Sequence, residues 1–160
     1  MIILGIDPGF SFTGYSVIRK HDRSIFLLDC GYLSLPTKKH LSVRVGMFYT
    51  YFQEKIIRHK VDTITLETSF LGKNAQNFLK LGYLRGILYL LADQHQVQLL
   101  EFAPREIKQA ITGYGGASKD QVARVIMQLF PRLQAPKKQD VTDAIAISLC
   151  GLWRRPILHP

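Results

Sequence analysis

The chain has 160 residues, 47% of them hydrophobic and 21% charged, a length and balance that suit one globular domain spanning 1–160. Cys30 and Cys150 are its two cysteines, far apart and without metal-ligand spacing, which excludes a disulfide scaffold and makes a reducing cytoplasm the expected compartment. Twenty-one Lys and Arg against twelve Asp and Glu give a net charge of +9, which points to a polyanionic partner, nucleic acid ahead of membrane.

No basic leader with an apolar run and cleavage site opens the chain, so no signal peptide is expected. Ile2, Ile3, Leu4 and Ile6 predict a strand that ends at Asp7, where Pro8-Gly9 turns the chain. A second strand is expected at about 13–19 and a third from 25 to about 35, joined by the polar turn His21-Asp22-Arg23-Ser24 into an antiparallel meander. Leu41, Val45, Phe48, Phe52 and Ile56 recur at helical spacing and predict an amphipathic helix over 41–59.

Val61 to Glu67 reads as a fourth strand, with Asp62, Ile64 and Leu66 as its alternating set. A polar loop through Gly72-Lys73-Asn74 leads into a helix at about 76–94. There Leu81, Leu84, Ile87, Leu88, Tyr89, Leu90 and Leu91 leave almost no polar face, so the helix needs cover on more than one side. Lys80, Arg85 and the pair Gly82 and Gly86 interrupt this stretch too often for a membrane span, and the two glycines permit close backbone approach. A fifth strand follows at 97–102. Pro104 then opens a short helix. After the linker Gly113-Tyr114-Gly115-Gly116, Val122, Val125, Ile126, Leu129 and Phe130 define another helix, and a basic loop over 131–138 precedes the last helix at about 139–153. Three meandering strands followed by strand–helix alternation argue for an α/β domain with a mixed five-stranded sheet flanked by helices.

Such sheets carry their sites at strand carboxyl ends, and Asp7 and Glu67 each close an apolar strand there. The last helix adds Asp140 and Asp143, three apart and therefore on one face, beside the buried stripe of Val141, Ala144, Ile145, Ser148 and Leu149. Helix capping alone could account for that pair, and solvation for either strand-end acid. Taken together, four carboxylates in a positively biased chain suit hard divalent cations, Mg²⁺ or Mn²⁺, with no His/Cys cluster of zinc spacing in competition. Two such ions can activate a water and stabilise the leaving oxygen in phosphoryl transfer, while basic side chains neutralise the DNA backbone. That division of labour fits a nuclease.

Several ordered motifs carry a resemblance. Gly5-Ile6-Asp7-Pro8-Gly9, Glu67-Thr68-Ser69-Phe70, Lys73-Asn74-Ala75, Leu79-Lys80-Leu81-Gly82 and Arg85-Gly86 are followed by Gly113 to Lys119 and Asp140-Val141-Thr142-Asp143-Ala144. The series resembles the RuvC Holliday junction resolvases and covers about 2–150, leaving 151–160 as a tail. The resemblance implies an RNase H-like fold and a homodimer that resolves four-way DNA junctions by paired nicks leaving 5′-phosphates. Asp7, Glu67, Asp140 and Asp143 match the family's metal-binding catalytic acids, for about two Mg²⁺ per site with Mn²⁺ as a substitute. Phe70 matches an aromatic that stacks on opened bases, and Lys108 and Lys119 match lysines near the scissile phosphate. The apolar helix at 76–94 matches the dimer element. A branch-migration helicase complex also comes into view as a partner.

Physical reasons accompany some of these matches. Lys119 follows a Gly-rich loop at a helix start, where a phosphate can be met. Phe70 follows a polar turn, which suits an exposed wedge, with packing in a satellite core as the rival reading. Lys108 has no local signal, and Lys137 and Lys138 beside Asp140 are candidate backbone contacts. The sequence departs from the family at Tyr83-Leu84, at Val141-Thr142 and at Gly151-Leu152-Trp153, which bears on the dimer contact and the C-terminal surface. A nuclease for forks, flaps or RNA hybrids is the alternative. A non-catalytic junction-binding module is a third reading, and an actin-like ATPase or sugar kinase needs a second domain for which the length leaves no room.

Overall fold

The computed structural model describes residues 1–68, 75–134, 136 and 138–153. Five strands, β1 (Ile2–Asp7), β2 (Phe12–His21), β3 (Ser24–Ser34), β4 (Thr63–Glu67) and β5 (Gln98–Phe102), form one sheet in the order β3-β2-β1-β4-β5. The first three make the expected antiparallel meander, and β4 joins β1, and β5 joins β4, in parallel. Helices α1 (Leu41–His59) and α2 (Ala75–Gln94) pack over one face, on Leu4, Ile6, Val17, Ile64 and Leu66. Helices α3 (Pro104–Thr112), α4 (Lys119–Leu129) and α5 (Gln139–Trp153) cover the other, on Ile3 and Ile18.

Two expectations need correction. The fourth strand begins at Thr63, and Thr63, Ile64, Thr65 and Leu66 are all buried, so it does not alternate. It is a central parallel strand covered on both faces, while Asp62 lies outside it and accepts the Ile2 N–H at 2.6 Å. The last helix is buried far beyond one stripe, with Thr142, Ala146, Ile147, Cys150 and Leu152 enclosed as well. It lies between the sheet and the α3–α4 layer, touching both.

Side-chain parity decides which face carries the strand-end acids. Successive side chains of a strand point to opposite faces. On β1, Leu4 and Ile6 enter the α1–α2 core, so Ile3, Gly5 and Asp7 face α5. On β4, Ile64 and Leu66 enter that same core, so Thr63, Thr65 and Glu67 also face α5. The parallel register pairs Gly5 with Thr65 and Ile6 with Leu66, which sets Asp7 and Glu67 side by side at the carboxyl edge.

Helix α5 reaches them because the sheet is notched beneath it. A Cβ on Gly5 would strike Ser148 Oγ and the Ala144 carbonyl, and one on Gly14 would strike the Asp140 carbonyl. Gly14 lies opposite Asp7 in the β1–β2 ladder. The Ser16 hydroxyl, buried beside these notches, donates to the Ala144 carbonyl at 3.0 Å and lies 2.7 Å from Ser148 Oγ. The helix therefore runs down the sheet with its first turn at the edge that Asp7 and Glu67 occupy.

Candidate active site

Asp7, Glu67 and Asp143 line one cleft of about 180 Å³, together with Lys108 from α3 and Lys119 from α4. Asp140, one turn before Asp143, lies close enough for its charge to raise the Asp7 carboxyl, although it does not line the cleft. Two strand ends and one helix start thus bring together the four acids read from the sequence. Phe70, Lys73 and Asn74 lie outside the described residues, as does Lys137. Lys138 turns to the ring of Phe12, 3.8 Å from its centroid, a cation–π contact rather than a free side chain.

The lysines are set by local structure. Ser118 caps α4 by accepting the Gln121 N–H at 3.2 Å, while Gln121 accepts the Ser118 N–H at 2.8 Å. That box fixes Lys119 as the first helical residue. Pro104 opens α3, with Glu106 accepting the Ala103 N–H, and Lys108 follows one turn later. Lys119, read as a phosphate contact, donates to Asp143 at 2.7 Å. Its ammonium is the counter-ion of a carboxylate crowded by other acids, and that pairing raises the Lys119 pKa.

The electrostatics of the cleft are those of like charges held together. Burial first, then Asp143, Asp140 and Glu67, push Asp7 up from 3.8 to about 7, against a lowering by Lys119. Burial and then Asp143 raise Glu67, while Lys119 and Lys108 lower it. Among the described residues no group of three or more His, Cys, Asp or Glu is placed to hold a metal ion by itself. The donor set is nevertheless all carboxylate oxygen, with repulsion that a divalent cation relieves, and it fits Mg²⁺ or Mn²⁺ by hardness.

A pH dependence follows. With chelator present, the folded chain holds the Asp7 proton to about pH 7, whereas the unfolded chain releases it near 3.8. Stability from this group is therefore full below about pH 4, falls as pH rises toward 7, and is level above. Asp7→Asn is expected to melt several degrees above the parent at pH 8 in chelator, and close to it at pH 4. Calorimetry at the two pH values checks this, and equal melting at pH 8 would remove the repulsion as described.

A family model described as crossover junction endodeoxyribonuclease RuvC matches residues 3–151. The chain belongs to the RuvC family. The RuvC of Chlorobium phaeovibrioides is 44% identical over 155 residues, which cover 96% of this chain and 82% of that protein. The solved structure of Thermus thermophilus RuvC in complex with a Holliday junction substrate superposes with a TM-score of 0.89 at 26% identity, covering 96% of this chain and 93% of that one. A yeast mitochondrial Holliday junction resolvase superposes with a TM-score of 0.67 at 14% identity, over 92% and 76% of the two chains, and shares the fold. The sheet and its flanking helices are thus RNase H-like. RuvC proteins are divalent-metal-dependent hydrolases, in keeping with the all-oxygen cleft.

Two arginines that brace the segments carrying Asp7 and Glu67 escaped the sequence reading as contributors. Arg85 of α2 donates to the Glu67 carbonyl at 2.7 Å and pairs with Glu101 of β5. Arg44 of α1 donates to the Phe10 carbonyl and lies 4.1 Å from the centre of its ring, which holds the loop leaving Asp7. No local pattern announces such long-range bonds. Gly14 did carry a signal, since an isolated glycine inside a strand marks a close backbone approach.

Proposed function

We propose that this chain resolves four-way DNA junctions as a homodimer, each subunit nicking one strand of a pair from a cleft built on Asp7, Glu67, Asp140 and Asp143. The convergence of Asp7, Glu67 and Asp143 on one cleft rimmed by Lys108 and Lys119, with Asp140 near enough to act on Asp7, carries the reading, in a chain of the RuvC family. The four carboxylates would hold Mg²⁺, about two ions per cleft, with Mn²⁺ as a substitute. When bound, the ions supply an activated water and neutralise charge on the departing 3′ oxygen, so that products carry 5′-phosphates.

The protein's own residues orient and neutralise. Lys119 and Lys108 stand on the cleft wall, positioned to meet the phosphodiester once its negative charge competes with Asp143 for the Lys119 ammonium. The first turn of α5 directs its positive dipole end to the edge where Asp7 and Glu67 stand, which favours the ionised forms that bind cations. Phe70, by family position, stacks on opened bases at the crossover. One domain carries this chemistry, acting on DNA in the cytoplasm, and a branch-migration helicase complex fits as a further partner by family alone.

Support for the homodimer comes from α2. Its inward stripe of Leu84, Leu88, Leu91 and Ala92 is buried, yet Leu79 is 56% exposed and Tyr83 and Leu90 stand open beside it. A Cβ on Gly82 or Gly86 would meet nothing within 4 Å among the described residues, and with Leu41 and Val45 of α1 these glycines line an apolar groove. A second copy of α2 covers such a face. Leu79→Glu is expected to yield a monomer by sedimentation with unchanged melting of the subunit, and to replace paired nicks with single ones. A Leu79→Glu dimer that still resolves junctions would move the interface elsewhere.

The deciding experiment digests a four-way junction, a fork, an RNA–DNA hybrid and plain duplex side by side, with Mg²⁺, Mn²⁺, Ca²⁺ or chelator. Symmetric cutting of the junction alone, in Mg²⁺ and Mn²⁺, is expected. Equal cutting of all four substrates would remove the resolvase reading, and binding without any cutting would leave a junction-binding module.

A further inference from the structure

Glu67 is held from both faces of the sheet. Its carboxylate faces the cleft on the α5 side, while its carbonyl accepts a bond from Arg85, whose helix packs on the opposite side. Arg85 is largely enclosed, with 13% of its side chain exposed, and its guanidinium also pairs with Glu101. Tyr89, one turn further along α2, donates to the same Glu101 oxygen at 2.5 Å. Glu101 lies beside Leu66 in the β4–β5 ladder, and the next ladder pair is Glu67 with Phe102. The Thr68 N–H closes this edge by donating to the Phe102 carbonyl at 2.9 Å.

We propose that Arg85, braced by Glu101 and Tyr89, is a positioning residue that fixes the peptide carrying Glu67 and so sets the metal-binding geometry of the cleft. The inference rests on the site reading given above. The parallel strand ends at Glu67, the last residue of the β4–β5 ladder; the planar, two-way donor geometry of a guanidinium supplies a restraint from the side that the cleft does not occupy. Small displacements of a ligand are costly, because coordination tolerates little error in distance. Residues that orient a metal ligand characteristically carry about 10–100-fold of affinity or activity.

Loss of Arg85 alone would strand the Glu101 carboxylate, so the informative variant is the double substitution Arg85→Met with Glu101→Gln. It removes the brace without leaving an unpaired charge. The test measures Mn²⁺ binding to the DNA-free protein by electron paramagnetic resonance, single-turnover junction cleavage across a Mg²⁺ titration, junction affinity in Ca²⁺, and melting temperature in chelator. The double variant is expected to weaken Mn²⁺ binding and to raise the half-saturating Mg²⁺ concentration by about tenfold. Junction affinity is expected to stay within about twofold of the parent and melting within a few degrees. Arg85→Lys should recover most of the metal affinity, because an ammonium can still reach the carbonyl.

Parental metal binding in the double variant would overturn the proposal. So would a parallel collapse of melting, junction affinity and metal binding that Arg85→Lys fails to reverse, since Arg85 would then serve the fold at large. Failure of the underlying site reading has a different signature, namely Mn²⁺ binding to the parent that Asp7→Asn leaves intact.

Discussion

Asp7→Asn is expected to abolish resolution, lowering the single-turnover cleavage rate by about three orders of magnitude, or about 4 kcal/mol of barrier. Asp7 is the central acid of the cleft, the one on which Asp143, Asp140 and Glu67 all act. An amide in its place keeps the shape but removes a full negative charge from the donor set, and metal stabilisation of a phosphoryl-transfer transition state amounts to several kcal/mol. Junction binding should survive within about threefold, because it rests on the basic surface and removing an anion does not weaken attraction to DNA. Quenched-flow digestion of a fluorescent junction measures the first quantity and a mobility shift in Ca²⁺ the second. Glu67→Gln, Asp140→Asn and Asp143→Asn should follow the same direction. Full cleavage by any one of the four would take that residue out of the site.

Gly14→Ala should be nearly as damaging to catalysis, although Gly14 bears no chemistry. Its added methyl would meet the carbonyl and Cβ of Asp140, backbone that cannot swing aside as a flexible side-chain end could. The first turn of α5 must lift, carrying Asp140 and Asp143 away from the strand-end pair. A shift of about 1 Å in a reacting constellation costs about 100-fold in rate, and overpacking a filled interface costs about 1–3 kcal/mol of stability. Cleavage should therefore fall about 100-fold in protein that still folds, with melting lowered by several degrees. Gly46 provides the control, since a Cβ there meets nothing within 4 Å among the described residues; Gly46→Ala should leave cleavage alone and, inside α1, should not lower melting. Parental cleavage in Gly14→Ala would show that α5 has freedom that its packing does not suggest.

Much of the candidate site is legible in the sequence. Asp7 and Glu67 close apolar strands, and the last helix begins in the structure at Gln139, as expected. Their meeting was less legible, because adjacency of Asp7 and Glu67 depends on the β1–β4 register, a pairing between segments far apart in sequence. Lys108 shows the same limit. It sits in an ordinary amphipathic turn, and only the packing of α3 against α5 brings it to the cleft wall. The alternation assigned to Val61–Glu67 failed because a central parallel strand has two covered faces, so Thr63 and Thr65 are as enclosed as Ile64 and Leu66. On α2 the absence of a polar face implied cover on more than one side, yet within one subunit a single stripe receives it.

The acids of the cleft are drawn from opposite ends of the polypeptide, with Asp7 on the first strand and Asp140 and Asp143 on the last helix. On the proposed site, a ribosome-bound chain carries only two of the four acids until α5 has emerged. A product that stops short of α5 loses two of the four acids and also the helix that fills the core above Ile3 and Ile18. On the proposed site, cleavage and a finished fold therefore depend on one and the same helix.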